Sequence, residues 1–299
     1  MRKSVALVII ILLATNNNLT EFLVSINYSA PVIMLYKGGL ACLVITIIMV
    51  LKRERPKVKN SNLLFIRVIL GAISIWLFTE SYEYLSAGSV ALVQRMDIAF
   101  LVLLAYLSGR KTSSLQFYLS VWTIIILLFF ALDARFNDED PIGFLYALSG
   151  VLVYSATILI IKSQTSSESK YTIALSFSFS SVLGGFVIGI INQETFALTS
   201  QLDLSYFLGG AGIQVAMVFL SLGLLKSFKA EYARLPYVLG ALATFILEMI
   251  IEGKVFNFNQ IGLTVIIVGL MLTICLNPNS PKLIKWEVLG KKGGEEVES

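Results

Sequence analysis

Histidine is absent from this sequence of 299 residues. Neutral imidazole serves proteins as a general base, a proton relay and a frequent metal ligand. Ser-His hydrolysis, His-ligated zinc and a His proton relay are therefore excluded. Cysteine is also scarce, because only Cys42 and Cys275 occur and each lies inside an apolar run. A disulfide framework and a cysteine metal cluster are not expected from such a pair.

Charged residues are also scarce in this sequence. Charged residues make up 14% and hydrophobic residues 57% of the chain, and the mean hydropathy is +0.82. Soluble domains carry roughly 25% charged residues, so this chain cannot expose its whole surface to water. The net charge is only +4, and the basic residues separate apolar runs, so we expect a lipid bilayer and no nucleic acid as partner.

Apolar runs long enough to cross a bilayer follow one another along the chain. The first, MRKSVALVIIILLA, begins like a signal peptide but lacks a small-x-small cleavage site, so we interpret it as a spanning helix. The pattern predicts an all-α integral membrane protein with ten transmembrane helices. Their predicted ranges are 4–26, 30–51, 62–85, 87–108, 114–132, 141–162, 171–191, 204–227, 231–251 and 258–277.

Lysine and arginine are distributed unequally between the two sets of helix ends. One set carries 17 of them and the other only two, Arg135 and Lys254. Basic residues favour the cytoplasmic side of a membrane, so we expect a multi-pass cell (inner) membrane protein with both termini in the cytoplasm. The remaining four lie inside the runs, and we expect Arg67 and Arg234, near the inner ends, to reach the headgroups.

Ten spans divide into two sets of five, and an odd set that is duplicated must cross the membrane in opposite senses. Short motifs agree with such a duplication. Gly109 precedes Gln116 as Gly253 precedes Gln260, and LGAISI and LGGAGI open the third helix of each half. We therefore predict two inverted five-helix repeats, residues 1–132 and 133–278, followed by a cytoplasmic polar tail, 279–299.

Over residues 4 to 277 the chain resembles the drug/metabolite transporter superfamily, in particular its EamA-type members with two five-helix repeats. The resemblance is carried by NNNLTEF in helix 1 and by Pro31 and Lys37 in helix 2. The run FIRVILGAISIWLFTESYEYLSAGSVALVQRMDIAFLVLLAYLSGRK is similar to the family's third and fourth helices, and GFLYALSGVLVYSATILIIK and LKSFKAEYARLPYVLGALATFILEMIIEGKVFNFNQIGLTVIIVGL to later ones. Arg110 and Lys254 depart from the family, which usually has Glu there. The resemblance implies a secondary transporter.

Polar side chains at depth in helices 1 and 2 are candidate substrate contacts, because a central charge costs about 2.5–3.5 kcal/mol on insertion scales. Glu21 and Lys37 are expected roughly 8–10 Å below the outer surface at about 1.5 Å per residue. An ion pair between them would be a structural clamp, and contact with a substrate or ion is the alternative. Asn17 shares a helical face with Glu21 and could line a wet cavity or bond a neighbouring helix.

Helix 4 carries the densest polar cluster at depth, Gln94 to Asp97. Gln94 and Asp97 share a face, whereas Arg95 points about 100° away from it. These side chains either line a cavity or form structural pairs, for instance Arg95 with Glu80 or Glu83 of helix 3. In the second half Tyr154 and Gln214 lie near mid-helix, as substrate contacts or interhelical hydrogen-bonding groups, and Glu248 is expected to be solvated.

The predicted function is alternating-access transport of a small amphiphilic metabolite: an amino acid, a nucleoside-like compound or an organic cation. A proton is a candidate coupling ion through Glu21 or Asp97, no cofactor, metal or catalytic residue is predicted, and a monomer or homodimer is expected. A receptor or assembly subunit that transports nothing is one alternative. An intramembrane prenyltransferase-like enzyme is another, but NDED (137–140) does not have the NDxxDxxxD spacing that holds magnesium against a diphosphate.

Overall fold

The computed structural model describes residues 3–109, 113–132, 140–198, 200–228, 233–253 and 258–276. All regular secondary structure in these residues is helical. The helices are α1 (Lys3–Ser25), α2 (Ala30–Leu51), α3 (Ser61–Ser81), α4 (Ala87–Gln94), α5 (Asp97–Leu107), α6 (Ser114–Leu132), α7 (Pro141–Gln164), α8 (Lys170–Ile191), α9 (Gln201–Ser227), α10 (Leu235–Glu252) and α11 (Phe258–Leu276). The predicted NDED string lies outside the described residues except for Asp140, and so do Arg110, Lys254 and the tail.

Seven segments of the described chain are long and apolar enough to cross a membrane. They are Ser4–Ser25, Ala30–Leu51, Ser61–Ser81, Ala87–Leu107, Pro141–Gln164, Lys170–Ile191 and Leu202–Ser227. Three further apolar helices are shorter, Ser114–Phe129, Leu235–Ile251 and Thr264–Leu276. Large apolar side chains on their outer surfaces are exposed, such as Leu43 and Phe65, where lipid replaces water as the surrounding solvent. The predicted helical fold with several membrane-spanning segments is confirmed for the described residues.

Local sequence signals explain where several helices begin. Asn60 accepts a hydrogen bond from the amide of Leu63 at 3.1 Å and caps α3. Asp140 caps α7 in the same manner, and a proline in the first turn of α2 and of α7 needs no amide donor there. These caps satisfy amide groups that a helix start otherwise leaves without a partner.

The predicted fourth helix is interrupted between Gln94 and Asp97. The amides of Arg95, Met96 and Ile98 each donate to a carbonyl three residues earlier, so a tight turn separates α4 from α5. Arg95, Met96 and Asp97 are at most 3% exposed. An interrupted helix is tolerated at this depth only where protein or a cavity surrounds it, and 61% of the α4–α5 window is buried, the largest share of any candidate span.

The short connections make successive helices run in opposite directions. Residues 52–60 and 165–169 lie at one end of the bundle, here called the basic end, and residues 26–29 and 82–86 lie at the opposite end. The most extensive packing joins α2 to α8, α3 to α7 and α8, and α1 to α10. A side chain on Gly185 of α8 would meet the carbonyl oxygen of Pro31 at 2.5 Å, so glycine permits the backbones to approach there.

Arg67 links three helices near the basic end and does not reach outward to headgroups as expected. It is 2% exposed and donates to Ser176 of α8 at 2.6 Å and to Gln164 at the end of α7. A salt bridge of 3.4 Å to Glu168 completes its contacts. The guanidinium group turned inward because carboxylate, amide and hydroxyl acceptors surround it there, and Arg can donate five hydrogen bonds.

Candidate functional site

A polar cavity of about 170 Å³ lies in the middle of the bundle. Its walls come from α1, α2, α3 and α4 on one side and from α7, α8, α9 and α10 on the other. Polar lining side chains include Asn16, Thr20, Lys37, Gln94, Gln214 and Ser221. Aromatic side chains, among them Phe78, Tyr154, Phe177 and Tyr237, complete the lining. A small pocket of aromatic surface with a few polar groups is typical of a small-molecule site.

Lys37 extends from α2 into this cavity. The side chain is 7% exposed, and its ammonium group donates to Asn16 Oδ1 at 3.1 Å and to Thr20 Oγ1 at 2.9 Å, both on α1. Gly210 of α9 leaves room for the lysine stem, because a Cβ there would lie 3.1 Å from Lys37 Cε. The ammonium group is thus buried against neutral oxygen atoms.

The predicted Glu21–Lys37 ion pair is wrong. Glu21 instead accepts a hydrogen bond of 2.9 Å from the backbone amide of Ala87 at the start of α4. Glu248 of α10, which we expected to be solvated, is fully buried and accepts from the adjacent amide of Gly88 at 2.7 Å. The first amides of α4 have no partner within the helix, and they lie at the positive end of its dipole, so they attract both carboxylates. This attraction outweighs that of Lys37 on the neighbouring helix α2.

The charged residues of the α4–α5 cluster contact Arg234 and Tyr237 at the start of α10. Asp97 is fully buried and forms a salt bridge of 3.2 Å between Oδ2 and Nε of Arg234. Arg234 was expected to reach headgroups, but it is 3% exposed and lies over the ring of Tyr154 at 5.1 Å. The shortness of α10 places the start of this helix inside the bundle, where the buried Asp97 attracts the guanidinium group.

Arg95 does not pair with Glu80 or Glu83 as suggested. It donates to Gln94 Oε1 at 3.1 Å and to the carbonyl of Ala91 at 3.4 Å. Its guanidinium group lies 5.4 Å from the ring centre of Tyr237, and its Nη1 atom has no hydrogen-bond partner within the described chain.

Asn17 belongs to a hydrogen-bonded layer next to the cavity. It is 2% exposed, donates to Thr244 of α10 at 3.3 Å and accepts from the hydroxyl group of Tyr82 at 3.2 Å. Together with the contacts of Glu21 and Glu248, this layer joins α1, α3, α4 and α10 on the side of the cavity away from the basic end. Its geometry indicates an interhelical contact, the second of the two interpretations of Asn17.

The cavity therefore brings together half of the predicted site residues. Lys37, Gln94, Tyr154 and Gln214 contribute to its lining, whereas Asn17, Glu21, Arg95 and Asp97 contact neighbouring helices. Sequence reasoning missed Asn16, Thr20, Ser221 and Tyr237. Asn16 and Thr20 carry a usable signal, because they are four residues apart in the same polar stretch as Asn17 and so share a helical face.

Two further cavities lie between the central one and the basic end. The first, about 50 Å³, shares Tyr154, Phe177 and Tyr237 with the central cavity and also contacts Arg234. The second, about 560 Å³, shares Ile173 with the first and opens between the basic-end loops. Its charged lining residues are Lys52, Glu54, Glu168, Lys170 and Lys226. Cavities that share wall residues thus follow one another from the middle of the bundle to one end.

Comparison with known proteins adds information on the fold. No family model matches the chain, and no curated protein matches it in sequence. Solved structures do match, and one of them, described only as "Crystal structure of protein", has a TM-score of 0.60 at 11% sequence identity. The match covers 91% of this chain and 96% of the other. At this identity the similarity concerns the fold alone.

Proposed function

We propose that this protein is a secondary transporter of the drug/metabolite transporter type, which moves a small amphiphilic metabolite by alternating access. The observation that carries the proposal is the cavity with polar and aromatic lining between the two halves of the chain, with two further cavities between it and one end of the bundle. Substrate sites of secondary transporters lie near the bilayer midplane at the interface of two repeats, typically beside an interrupted helix. The break between α4 and α5 and the cavity lining of Gln94 fit that arrangement.

The packing of the helices supports two inverted repeats. If α1, α2, α3, α4–α5 and α6 correspond in order to α7, α8, α9, α10 and α11, each major contact has a counterpart. The contact of α1 with α10 corresponds to that of α7 with α4 and α5, and the contacts of α3 with α7 and α8 correspond to those of α9 with α1 and α2. The contacts of α2 with α8 and of α6 with α11 correspond to themselves. Such a pattern is expected from a pseudo-twofold axis in the membrane plane.

The contacts at the two ends favour a conformation open toward the basic end. The two further cavities lie on that side, whereas on the other side hydrogen bonds of Glu21, Glu248, Asn17 and Tyr82 hold helices together. The excess of basic residues at the open end supports a cytoplasmic location of that end by the positive-inside rule. We therefore assign an inward-open state, in which transport requires the hydrogen-bonded layer to separate and the basic end to close.

Cysteine accessibility tests this mechanism without knowledge of the substrate. The variant Gln214→Cys, in a background with Cys42→Ala and Cys275→Ala, places one thiol in the central cavity. A membrane-impermeant thiosulfonate should label it from either face of oriented vesicles, and faster from the cytoplasmic face. The matched control is Leu208→Cys on the same helix, which is 49% exposed on the lipid-facing surface and should stay unlabelled because a thiol in lipid does not ionise.

Labelling from one face only would refute alternating access and favour a receptor or an assembly subunit. The same vesicles test the topology, since epitope tags on the two termini should both react at the cytoplasmic face. Termini on opposite faces would refute the ten-span, inverted-repeat architecture.

A further inference from the structure

The deep carboxylates of the described chain all bind a basic side chain or a hydrogen-bond donor of the protein itself. Asp97 forms a salt bridge with Arg234, and Glu21 and Glu248 accept from backbone amides at the start of α4. At the basic end Glu168 forms a salt bridge with Arg67. None of these carboxylates lies in the lining of the central cavity. Among the described residues, the cavity lining therefore offers no acidic group that could bind a cationic substrate directly.

Two deep cations, in contrast, form no salt bridge with a carboxylate of the described chain. Lys37 contacts only the neutral oxygen atoms of Asn16 and Thr20, and Arg95 contacts an amide, a carbonyl and an aromatic ring. A lysine ammonium has three donors, and two of those on Lys37 are used within the protein. The third N–H is available on the cavity side, because Lys37 is part of the cavity lining.

Burial of a charge without a counter-ion is strongly unfavourable, so an anion bound in the cavity would stabilise the ammonium group of Lys37. We infer that the transported substrate carries a carboxylate group and that Lys37 is the residue that binds it. This inference rests on the proposed transport function and narrows its substrate class to small organic anions and zwitterions. The sequence alone left cationic compounds equally open.

The surroundings of Lys37 define the rest of the substrate. Gln94 is part of the lining and accepts a hydrogen bond from Arg95, so the charge of Arg95 lies close behind the cavity wall and favours an anion there. Phe78 and Phe177 provide apolar surface within the same cavity. A volume of about 170 Å³ limits the occupant to a compound about the size of an amino acid. The site fits a carboxylate joined to a compact apolar or aromatic group.

Three nearly isosteric probes of different charge test the inference: benzoate, benzamide and benzamidinium. The purified full-length protein is melted in detergent with increasing concentrations of each probe, because a ligand that binds the folded state raises the melting temperature. Benzoate should stabilise the protein in a concentration-dependent manner, whereas benzamide and benzamidinium should have little effect. Equal or greater stabilisation by benzamidinium would overturn the inference, and so would a failure of benzoate and other small monocarboxylates to stabilise.

Variants then test the role of Lys37. Lys37→Gln should weaken benzoate binding at least about tenfold, because it removes one partner of a buried charge pair. Lys37→Arg should retain binding, and the matched control Lys57→Gln, an exposed lysine in the loop 52–60, should bind like the parent. Unchanged benzoate binding by Lys37→Gln would assign the anion to another residue and overturn the inference.

The melt of each variant without ligand shows whether it folds. If Lys37→Gln does not fold, the binding of the three probes to the parent protein and to Lys37→Arg still tests whether the substrate is an anion. Failure of the inference is also distinguishable from failure of the transport function. Labelling of Gln214→Cys from both faces together with benzamidinium binding would leave the transporter and change only its substrate class. Labelling from a single face would refute transport whichever probe binds.

Discussion

The salt bridge between Asp97 and Arg234 permits a quantitative prediction. Its side chains are 0% and 4% exposed, and the N–O distance is 3.2 Å. At this distance two unit charges attract by about 5 kcal/mol at an effective dielectric constant of about 20. However, neither oxygen of Asp97 accepts a well-aligned hydrogen bond from the described residues. The attraction is therefore largely offset by the desolvation of both groups, which such hydrogen bonds would have compensated.

Removing one partner of this salt bridge should lower the free energy of unfolding far more than replacing both partners by apolar residues. We expect Arg234→Met and Asp97→Leu each to destabilise the protein by about 3–5 kcal/mol, because each leaves one buried charge without its partner. The double variant Asp97→Leu/Arg234→Met should lie within about 1–2 kcal/mol of the parent, since replacement of a whole buried pair by apolar groups is often neutral. The measurement is reversible unfolding in mixed micelles as SDS is titrated, with helix content as the readout.

Arg95→Met is the matched control for this set of single and double variants. Arg95 is as buried as Arg234, at 3% exposed, but its removal leaves no carboxylate unpaired, so it should cost no more than about 1.5 kcal/mol, the value of a hydrogen bond. Additive effects of the two single substitutions would refute the reasoning, because they would mean that the two charges do not interact. A larger effect of Arg95→Met than of Arg234→Met would mean that Asp97 depends on the other guanidinium group.

Three more predictions concern helix packing. Gly185→Ala should destabilise the protein by about 1–3 kcal/mol, because the new Cβ would lie 2.5 Å from a backbone oxygen of α2 in a packed core. The control Gly212→Ala has open space at its Cβ, so it should be neutral or stabilising in the same unfolding assay. Glu248→Ala should lower stability by about 1–3 kcal/mol through the loss of a charged acceptor at the start of α4, and Glu248→Gln should recover part of it; equal melting of the two variants would contradict the role of this contact. Arg67→Gln should cost about 3–5 kcal/mol by leaving the buried Glu168 carboxylate unpaired, whereas Arg55→Gln, in an exposed loop, should have no measurable effect on the melting temperature.

Half of the candidate site could be predicted from the sequence because depth follows from helix length. Counting residues placed Lys37 and Gln94 at depth and Tyr154 and Gln214 near mid-helix, and all four line the central cavity. The partners of the deep charges could not be predicted in this way. The sequence suggested Glu21 for Lys37 because their helices are consecutive. Lys37 does contact α1, but at Asn16 and Thr20, because the start of α4 binds the Glu21 carboxylate instead.

The sequence by itself determined that the chain is helical and belongs in a membrane, because backbone groups in lipid must be paired within the same segment and apolar runs of that length admit few other solutions. Tertiary structure alone decided which charges neutralise one another. The break after Gln94, the approach of α10 to α4 and the reach of Lys37 toward α1 depend on how the helices pack. These contacts join residues that lie far apart in the chain, and no local pattern specifies them. The same packing engaged the buried carboxylates and left the ammonium group of Lys37 facing the cavity.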